Sequence, residues 1–424
     1  MTSRERVLAA LNFQETDRVP CDLDAMGSTG ISAFAYPKLV KALGLPPRRT
    51  RIYDTWQMIA VVDRDVLDAL ECDCICVNGE NCANVLPEPE KWRPYDFNGR
   101  LEALVLDPSS FRVLPDGTIE QRATPFCGVT HMPPNGYVFS EEHGGQAVDL
   151  SGEFVLEDLD RLRDQLLAED VTPEQARRTA DCCRRAKEAG GERALLFNGV
   201  SAMLGYRGGL ANFSMLCLSE PGYVRKLHEI LTEAALRRAE ALIPAVTPYV
   251  DIVLLSSDDQ GTQCSTILPP EVYRELFTPF YRQLNERVHS LAPHLKTFYH
   301  SCGAIYSILD AVIEGGFDIL NPVQWTAGGH SPEEWKRVAD GRLVLWGGGV
   351  DTQTVLPGGS VADVERQAAE MTRLFSRGGG YVFTAIHNIM AEIAPEKVIA
   401  MYRSARSVPL SGCNCRTGKG MASC

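Results

Sequence analysis

The sequence has no long hydrophobic run. No stretch of its 424 residues approaches the roughly 18 consecutive apolar residues of a membrane-spanning helix. The first 13 residues are interrupted by Arg4, Glu5 and Arg6, so they lack the apolar core of a secretory signal. We therefore expect a cytoplasmic protein that does not bind to membranes.

Positive charge is scarce relative to negative charge. The chain has 42 lysine and arginine residues against 55 aspartate and glutamate residues, which gives a formal net charge of −13. Because nucleic acids and many membrane surfaces are anionic, this balance argues against both as partners. The composition, 45% hydrophobic and 23% charged, is otherwise typical of a globular protein.

Two further signatures are missing. No Gly-x-Gly-x-x-Gly motif follows the first predicted strand, which disfavours a dinucleotide-binding fold. The 14 cysteines are scattered through a long chain without a secretory signal, a pattern typical of reduced thiols rather than of a disulfide framework. Cys72, Cys74 and Cys76 share one face of a predicted strand and could bind a metal, but their apolar neighbours favour packing in the core.

Apolar strands alternate with amphipathic helices through the second half of the chain. The candidate strands cover residues 194–198, 250–255, 295–300, 317–321, 343–346 and 380–384. Helical runs between them include residues 221–242, 270–291 and 361–375. This alternation predicts parallel strands with helices outside, either as a closed barrel or as an open doubly wound sheet.

The first half is less regular. It is predicted to contain a helix at residues 3–13, strands at 17–24 and 72–77, helices around 35–44 and 51–70, and proline-punctuated hairpins over about 84–150. The predicted fold class is α/β; the polar side chains described next favour a (β/α)8 TIM barrel, with N-terminal helices and an inserted β-hairpin region, over the open sheet. We expect one barrel domain over residues 1–410 and a flexible, cysteine-containing tail at 411–424.

Polar side chains follow nearly every candidate strand of the second half. They are Asn198, Asp258-Asp259-Gln260, His300 with Cys302, Asn321 with Gln324, Asp351 with Gln353, and His387-Asn388. In a (β/α)8 barrel the carboxyl ends of all strands meet at one face, which holds the active site. Single Asp or Asn residues also cap helices, but the repetition of the pattern favours a site.

His300 and Cys302 are the pair with the clearest chemistry. Side chains two residues apart on a strand point to the same face, so these two are expected to converge. An imidazole and a thiolate suit zinc. Alternatively, His300 is a hydrogen-bonded core histidine and Cys302 a small buried apolar residue.

Four stretches carry a family resemblance. They are His300-Ser-Cys-Gly303, Asn321-Pro-Val-Gln324, Trp-Gly-Gly-Gly-Val-Asp-Thr-Gln at residues 346–353, and His-Asn-Ile followed by Pro-Glu-Lys-Val within residues 387–398. They resemble the uroporphyrinogen decarboxylase superfamily and, within it, the cobamide-dependent methyltransferases, which include methylcobamide:coenzyme M methyltransferases and O-demethylation enzymes. The resemblance spans about residues 3–407 and implies a (β/α)8 barrel with a deep cleft.

The loop after the first strand favours the methyltransferase branch. True decarboxylases resemble one another in an arginine-rich loop here that pairs with the carboxylates of the tetrapyrrole. In this chain residues 22–30 contain Asp22 and Asp24 and no arginine. A polycarboxylate substrate would therefore meet repulsion where it needs guanidinium groups.

The resemblance also implies a site. In the methyltransferase branch a His-x-Cys pair binds zinc together with a cysteine near the last strand, which implies His300 and Cys302 as ligands. His387 stands where that cysteine would be, and we predict it as the third ligand; alternatively, it contacts the substrate. Asp258 and Asp259 are candidate catalytic residues that orient a ligand or accept a proton, although one of them could instead cap a helix.

The other predicted site residues bind substrate. They are Asn198, Tyr206, Arg207, Gln324 and Asp351, of which Tyr206 and Arg207 would hold an anionic group. The implied function is a zinc-dependent methyltransferase that moves a methyl group between a small thiol or methyl ether and the corrinoid of a separate small protein. The alternatives are a metal-independent decarboxylase that acts on a smaller carboxylate, and a barrel that binds a ligand or partner without catalysis. A homo-oligomer is compatible with each.

Overall fold

The computed structural model describes residues 1–79, 82, 85–86, 88–123, 128–140, 156–202, 204–205 and 210–410. The helices within these ranges are α1 Ser3–Leu11, α2 Tyr36–Ala42, α3 Arg64–Ala69, α4 Leu159–Ala168, α5 Pro173–Gly190, α6 Leu210–Ser219, α7 Pro221–Val246, α8 Pro270–Leu276, α9 Thr278–Leu291, α10 Leu309–Glu314, α11 Pro332–Ala339, α12 Val355–Gly358, α13 Val361–Phe375 and α14 Pro395–Arg406. The strands are β1 Thr50–Asp54, β2 Ile59–Ala60, β3 Cys74–Asn78, β4 Arg93–Asp96, β5 Glu102–Val105, β6 Phe111–Val113, β7 Ile119–Gln121, β8 Thr130–Met132, β9 Ala194–Asn198, β10 Ile252–Ser256, β11 Lys296–His300, β12 Ile319–Asn321, β13 Val344–Trp346 and β14 Tyr381–Val382.

Seven parallel strands form the central sheet, in the order β3, β9, β10, β11, β12, β13 and β14. Strand order follows chain order, and helices connect successive strands, as expected for a β/α barrel. Alternate strand residues point inward: Leu196, Leu254, Phe298 and Trp346 pack in one buried cluster inside the sheet. Their neighbours along the strands pack in a second cluster, against the surrounding helices.

A short segment, residues 20–22, closes the barrel between β14 and β3. On one side the N–H of Asp22 donates to the carbonyl of Phe383 at 2.9 Å, and on the other the N–H of Asp73 donates to the carbonyl of Cys21 at 2.7 Å. The buried carboxylate of Asp73 also accepts from Arg6 of α1 and from the Cys21 N–H. This closing segment therefore supplies the eighth position, and the predicted (β/α)8 barrel is confirmed.

The prediction of a helix over residues 51–70 is wrong. That stretch forms β1, β2 and the short helix α3. β1 pairs in parallel with β5, whose partner on the other side is β4, and of these three strands β4 and β5 lie within the inserted region. Partners 50 residues away in sequence stabilise the extended β-branched residues, and a local periodicity does not reveal them.

The inserted region contains the expected hairpins where the structure describes it. β6 and β7 pair antiparallel with Phe111 opposite Gln121, and β8 continues the sheet. This small sheet contacts the loop after β1, since the Gln121 amide donates to the Thr55 hydroxyl at 2.6 Å. The predicted tail at residues 411–424 lies outside the described residues.

Two other expectations concern cysteine and membranes. Cys72, Cys74 and Cys76 are buried and lie among apolar side chains without a disulfide bond, so the core-packing interpretation is the one the structure supports. Across the described residues, every helix is too short or too polar to span a bilayer.

Candidate metal and substrate site

The candidate site lies at the carboxyl ends of the barrel strands. His300 is the last residue of β11 and Asn321 the last residue of β12, and the two are direct neighbours in the parallel ladder. Their side chains occupy the inward-facing register of the strands, like Phe298 two residues before His300. Both point into the mouth of the barrel. The loops that follow the strand ends are called the rim below.

Three potential metal donors converge at this mouth. The Nε2 atom of His300 lies 3.5 Å from the Sγ atom of Cys302. The ring of His387 lies 6.1 Å from that of His300, centre to centre. One ligand atom from each of the three residues falls within 4.8 Å of the others. His300, Cys302 and His387 are called the donor cluster below.

The position of Cys302 is set by the loop after β11 and not, as expected from the sequence, by the alternation of side chains along a strand. The strand ends at His300, so Cys302 lies beyond it. The Cys302 N–H donates to Oδ1 of Asp259 at 2.7 Å, and the Gly303 N–H donates to Oε1 of Gln324 at 2.8 Å. Two rim side chains thus hold the backbone that presents the thiol.

His387 reaches the cluster from a turn after β14. Its φ angle is +86°, a backbone conformation that is rare for residues other than glycine. The next residue, Asn388, connects this turn to the loop after the closing segment: Asn388 accepts the Gly30 N–H at 2.8 Å and donates to the Gly27 carbonyl at 3.0 Å. Strained backbone held by such contacts is common at functional sites.

The spacing of His300 and Cys302 fits two ligands of a zinc ion, and the third donor lies within 4.8 Å of both. Zinc bound tetrahedrally by nitrogen at about 2.0–2.1 Å and sulfur at about 2.3 Å brings those two atoms to about 3.5 Å from each other. The His300–Cys302 separation matches that value. Three protein ligands also leave a fourth position for a substrate, as in catalytic zinc sites.

The protonation states of the cluster bear on metal binding. Burial, together with the nearby carboxylate of Asp259, raises the pKa of Cys302 well above its usual value. Burial and the proximity of His300 lower the pKa of His387 to about 4, which leaves its imidazole neutral at physiological pH. Metal ligation needs a thiolate and neutral imidazoles, and a cation would stabilise the thiolate that burial disfavours.

The family model for uroporphyrinogen decarboxylase (URO-D) matches residues 153–408, more than half of the chain and all three donors. The chain belongs to the uroporphyrinogen decarboxylase family. The predicted family is therefore confirmed. No curated protein matches the sequence of this family member at a significant level.

One solved structure with a TM-score above 0.5 supports the fold of this URO-D family member. A methyltransferase from Methanosarcina mazei is similar with a TM-score of 0.52 and 17% identity, over 96% of this chain and 98% of that one. An endo-1,4-beta-mannanase from Rhizomucor miehei gives a TM-score of 0.34 and 11% identity, over 54% of this chain and 74% of that one. A D-psicose 3-epimerase from Clostridium cellulolyticum gives a TM-score of 0.32 and 12% identity, over 58% of this chain and 89% of that one. At 17% identity the similarity to the M. mazei protein concerns the fold alone, and the other two similarities, with TM-scores below 0.5, carry no argument about this chain.

The two predicted catalytic carboxyl groups of the URO-D family member differ in environment. Asp259 is partly exposed, and its Oδ1 atom lies 3.6 Å from Nε2 of His300. Asp258 is fully buried and accepts a hydrogen bond from the Tyr281 hydroxyl at 3.0 Å. Burial raises the pKa of Asp258. Of the two, only Asp259 is in direct contact with the donor cluster; the catalytic role of either residue stays a prediction.

The predicted substrate-binding residues are dispersed around the rim. Asn198 lies at the end of β9, where its amide donates to Asn78 at 3.4 Å. Gln324 holds the loop of Cys302, as described above, and the carboxylate of Asp351 accepts from the Gln353 N–H and the Thr354 hydroxyl at the start of α12. Tyr206 and Arg207 lie outside the described residues. Their substrate roles stay predictions.

Sequence reasoning missed the contribution of the loop after the closing segment. Ser28 contacts Nδ1 of His300 at 3.0 Å, and the buried carboxyl of Asp24 accepts from the Tyr53 hydroxyl at 2.9 Å. The available signal was position: because this loop follows the first barrel strand, it belongs to the rim. In the sequence analysis this loop was used only for its lack of arginine.

The buried acids of this loop predict a pH effect on stability. Burial raises the pKa of Asp24 to about 8 and that of Asp22 to about 6. A pKa higher in the folded than in the unfolded chain means that the free energy of unfolding falls as the pH rises from about 4 toward the folded-state pKa. We expect this decrease in urea titrations between pH 5 and 9, and we expect Asp24→Asn to remove the part that extends to about pH 8. The control is Asp310→Asn, which replaces an exposed acid and should leave the profile as in the wild type. A profile that is unchanged in Asp24→Asn, or altered only in Asp310→Asn, would contradict the prediction.

Proposed function

We propose that this protein is a zinc-dependent methyltransferase. It would move a methyl group between a small thiol or methyl ether and the corrinoid of a separate small protein. The observation that carries the proposal is the donor cluster, a thiol and two imidazoles within 4.8 Å of one another at the mouth of a URO-D barrel. The fold that it shares with the M. mazei methyltransferase supports the proposal without deciding the substrate.

His300, Cys302 and His387 would hold the metal. When bound, zinc keeps a substrate thiol ionised at neutral pH, or polarises an ether oxygen so that the departing alkoxide or phenolate is stabilised. Asp259 is placed to accept the proton of a substrate thiol, since its carboxylate is partly exposed and lies 3.6 Å from His300. Asp258, fully buried, is suited to support the rim rather than to exchange protons with solvent.

The loop at residues 22–30 argues against a polycarboxylate substrate. It contains no arginine, and its two acids are buried with raised pKa values. The binding of many carboxylates there would lack cationic partners. We also propose that residues 1–410 form one barrel domain, with an insertion of about residues 84–150 that contacts the loop after β1 at Thr55.

The test combines metal analysis with a corrinoid assay. We expect about one zinc per chain. With free cob(I)alamin and a panel of methyl ethers, or with methylcobalamin and small thiols, we expect methyl transfer, seen as the change in corrinoid absorbance. Dialysis against a strong chelator should abolish it and added zinc should restore it.

Three outcomes would overturn the proposal. They are methyl transfer at full rate after complete removal of metal, metal-independent release of carbon dioxide from a panel of small carboxylic acids, and ligand binding without turnover in the presence of both the corrinoid and zinc. The second outcome would identify a decarboxylase and the third a binding protein.

A further inference from the structure

Asn321 contacts the side of the His300 ring that faces away from the other donors. The Nδ1 atom of His300 lies 2.7 Å from Oδ1 of Asn321 and 3.0 Å from the hydroxyl of Ser28. All three residues are buried. On the opposite side of the ring, Nε2 faces Sγ of Cys302. The contacts at Nδ1 therefore decide whether Nε2 carries a hydrogen or a lone pair.

The next barrel strand fixes the orientation of the Asn321 amide. Its Nδ2 atom donates to the main-chain carbonyl of Trp346, at 2.9 Å. A carbonyl can only accept, so the NH2 group must lie on the Trp346 side and the oxygen on the His300 side. The indole N–H of Trp346 donates in turn to Asp22 at 2.8 Å, and both of these side chains are fully buried. The amide thus has one orientation that satisfies its neighbours.

This orientation determines the tautomer of His300. A neutral imidazole carries one N–H, and the oxygen of Asn321 can only accept, so Nδ1 must be the nitrogen that carries the hydrogen. The Ser28 hydroxyl donates its hydrogen to the same Asn321 oxygen at 2.9 Å, so it turns a lone pair toward Nδ1. Nε2 is left with a free lone pair directed at the donor cluster.

We propose that Asn321, supported by Ser28, is a positioning residue that holds His300 in its Nδ1–H tautomer and makes Nε2 available to a metal ion. The role in metal binding rests on the proposed function, whereas the tautomer is a property of the metal-free protein. Groups that accept the second N–H of a ligating histidine typically contribute about 10–100-fold to metal affinity.

Two measurements test this proposal. In metal-free protein labelled with ¹⁵N-histidine, the nitrogen chemical shifts of His300 report which nitrogen carries the hydrogen. We expect the Nδ1–H tautomer in the wild type and in Asn321→Asp, which keeps an acceptor oxygen, and a mixture of tautomers in Asn321→Leu. In competition with a chromogenic chelator, we expect Asn321→Leu to lower zinc affinity about 10–100-fold.

Two further variants separate positioning from packing. Ser28→Ala leaves Asn321 in place and should produce a smaller change of the same kind, so it tests the proposal even if Asn321→Leu does not fold. Asn285 is a buried asparagine of helix α9, outside the donor cluster, and its amide donates to the carbonyls of Tyr281 and Gly315. Asn285→Leu removes a comparable amide and should change neither the His300 shifts nor zinc affinity.

The results have distinct meanings. An Nε2–H tautomer in the metal-free wild type would overturn the proposal, as would unchanged shifts and unchanged zinc affinity in both Asn321→Leu and Ser28→Ala. Failure of the wild type to bind zinc would overturn the proposed function instead, and the chemical shifts would still decide the tautomer.

Discussion

Replacing Cys302 with alanine is expected to remove the bound zinc and to lower the rate of methyl transfer about a thousandfold. In the proposed zinc site Cys302 would be the one anionic donor, as a thiolate, and the two imidazoles that remain in the variant are neutral ligands. A metal ion typically supplies several kcal/mol of transition-state stabilisation, and each 1.4 kcal/mol corresponds to about a factor of ten in rate. Zinc content and corrinoid absorbance measure the two effects.

The matched control for this variant is Cys264→Ala. Cys264 is an exposed cysteine of the neighbouring rim loop and is not part of the donor cluster. We expect it to retain one zinc per chain and the wild-type rate. If Cys302→Ala keeps zinc with the affinity of the wild type, the donor cluster is not the metal centre.

His387→Gln decides between the two roles predicted for His387. If His387 is a ligand, the variant loses zinc affinity together with activity. If it contacts the substrate, zinc affinity is kept and KM rises. The convergence of its ring on His300, with 6.1 Å between the centres, favours the first result.

Replacing Gly303 with alanine is expected to have the largest effect on the architecture of the site. Gly303 has a φ of +88°, and a Cβ built on it would lie 2.3 Å from the main-chain carbon and oxygen of Gly261. The loops after β10 and β11 thus meet backbone to backbone, and any side chain forces them apart. We expect a loss of at least about 2–3 kcal/mol in the free energy of unfolding, since backbone strain alone costs about 1–3 kcal/mol. Zinc should be lost as well, because the neighbouring residue is Cys302.

Gly329→Ala separates the close approach from the backbone strain. Gly329 has a φ of +77°, but no atom lies within 4 Å of the position that a Cβ would occupy. This control should cost about 1 kcal/mol, the usual penalty of a left-handed backbone for alanine. Equal losses of stability in Gly303→Ala and Gly329→Ala, in denaturation by urea, would contradict the close contact between the two loops.

The sequence predicted best the elements that local patterns determine. The expected strand at residues 194–198 and the expected helix at residues 361–375 agree with β9 and α13 to the residue. Each is marked by its own apolar pattern and, for α13, by a capping box at Ser360. Periodicity alone left a barrel and an open sheet undecided, and the polar side chains after the strands, together with the family motifs, favoured the barrel.

What sequence reasoning missed depends on contacts between distant residues. Ser28 and His300 are 272 positions apart, and nothing near either residue indicates that they touch. The orientation of Asn321 depends in the same way on a carbonyl of the next strand. Strand β1 needed β5 to form. A single sequence reports apolar spacing, but it does not report which polar groups meet across a barrel.

Closure of the barrel has a consequence for synthesis on the ribosome. Residues 20–22 leave the ribosome long before Phe383, one of their two hydrogen-bonding neighbours, is made. Until then the nascent sheet has an open edge, and open edges attract foreign strands. Chains stalled before Phe383 should therefore aggregate or engage chaperones, whereas chains that extend through α14 can complete the ring.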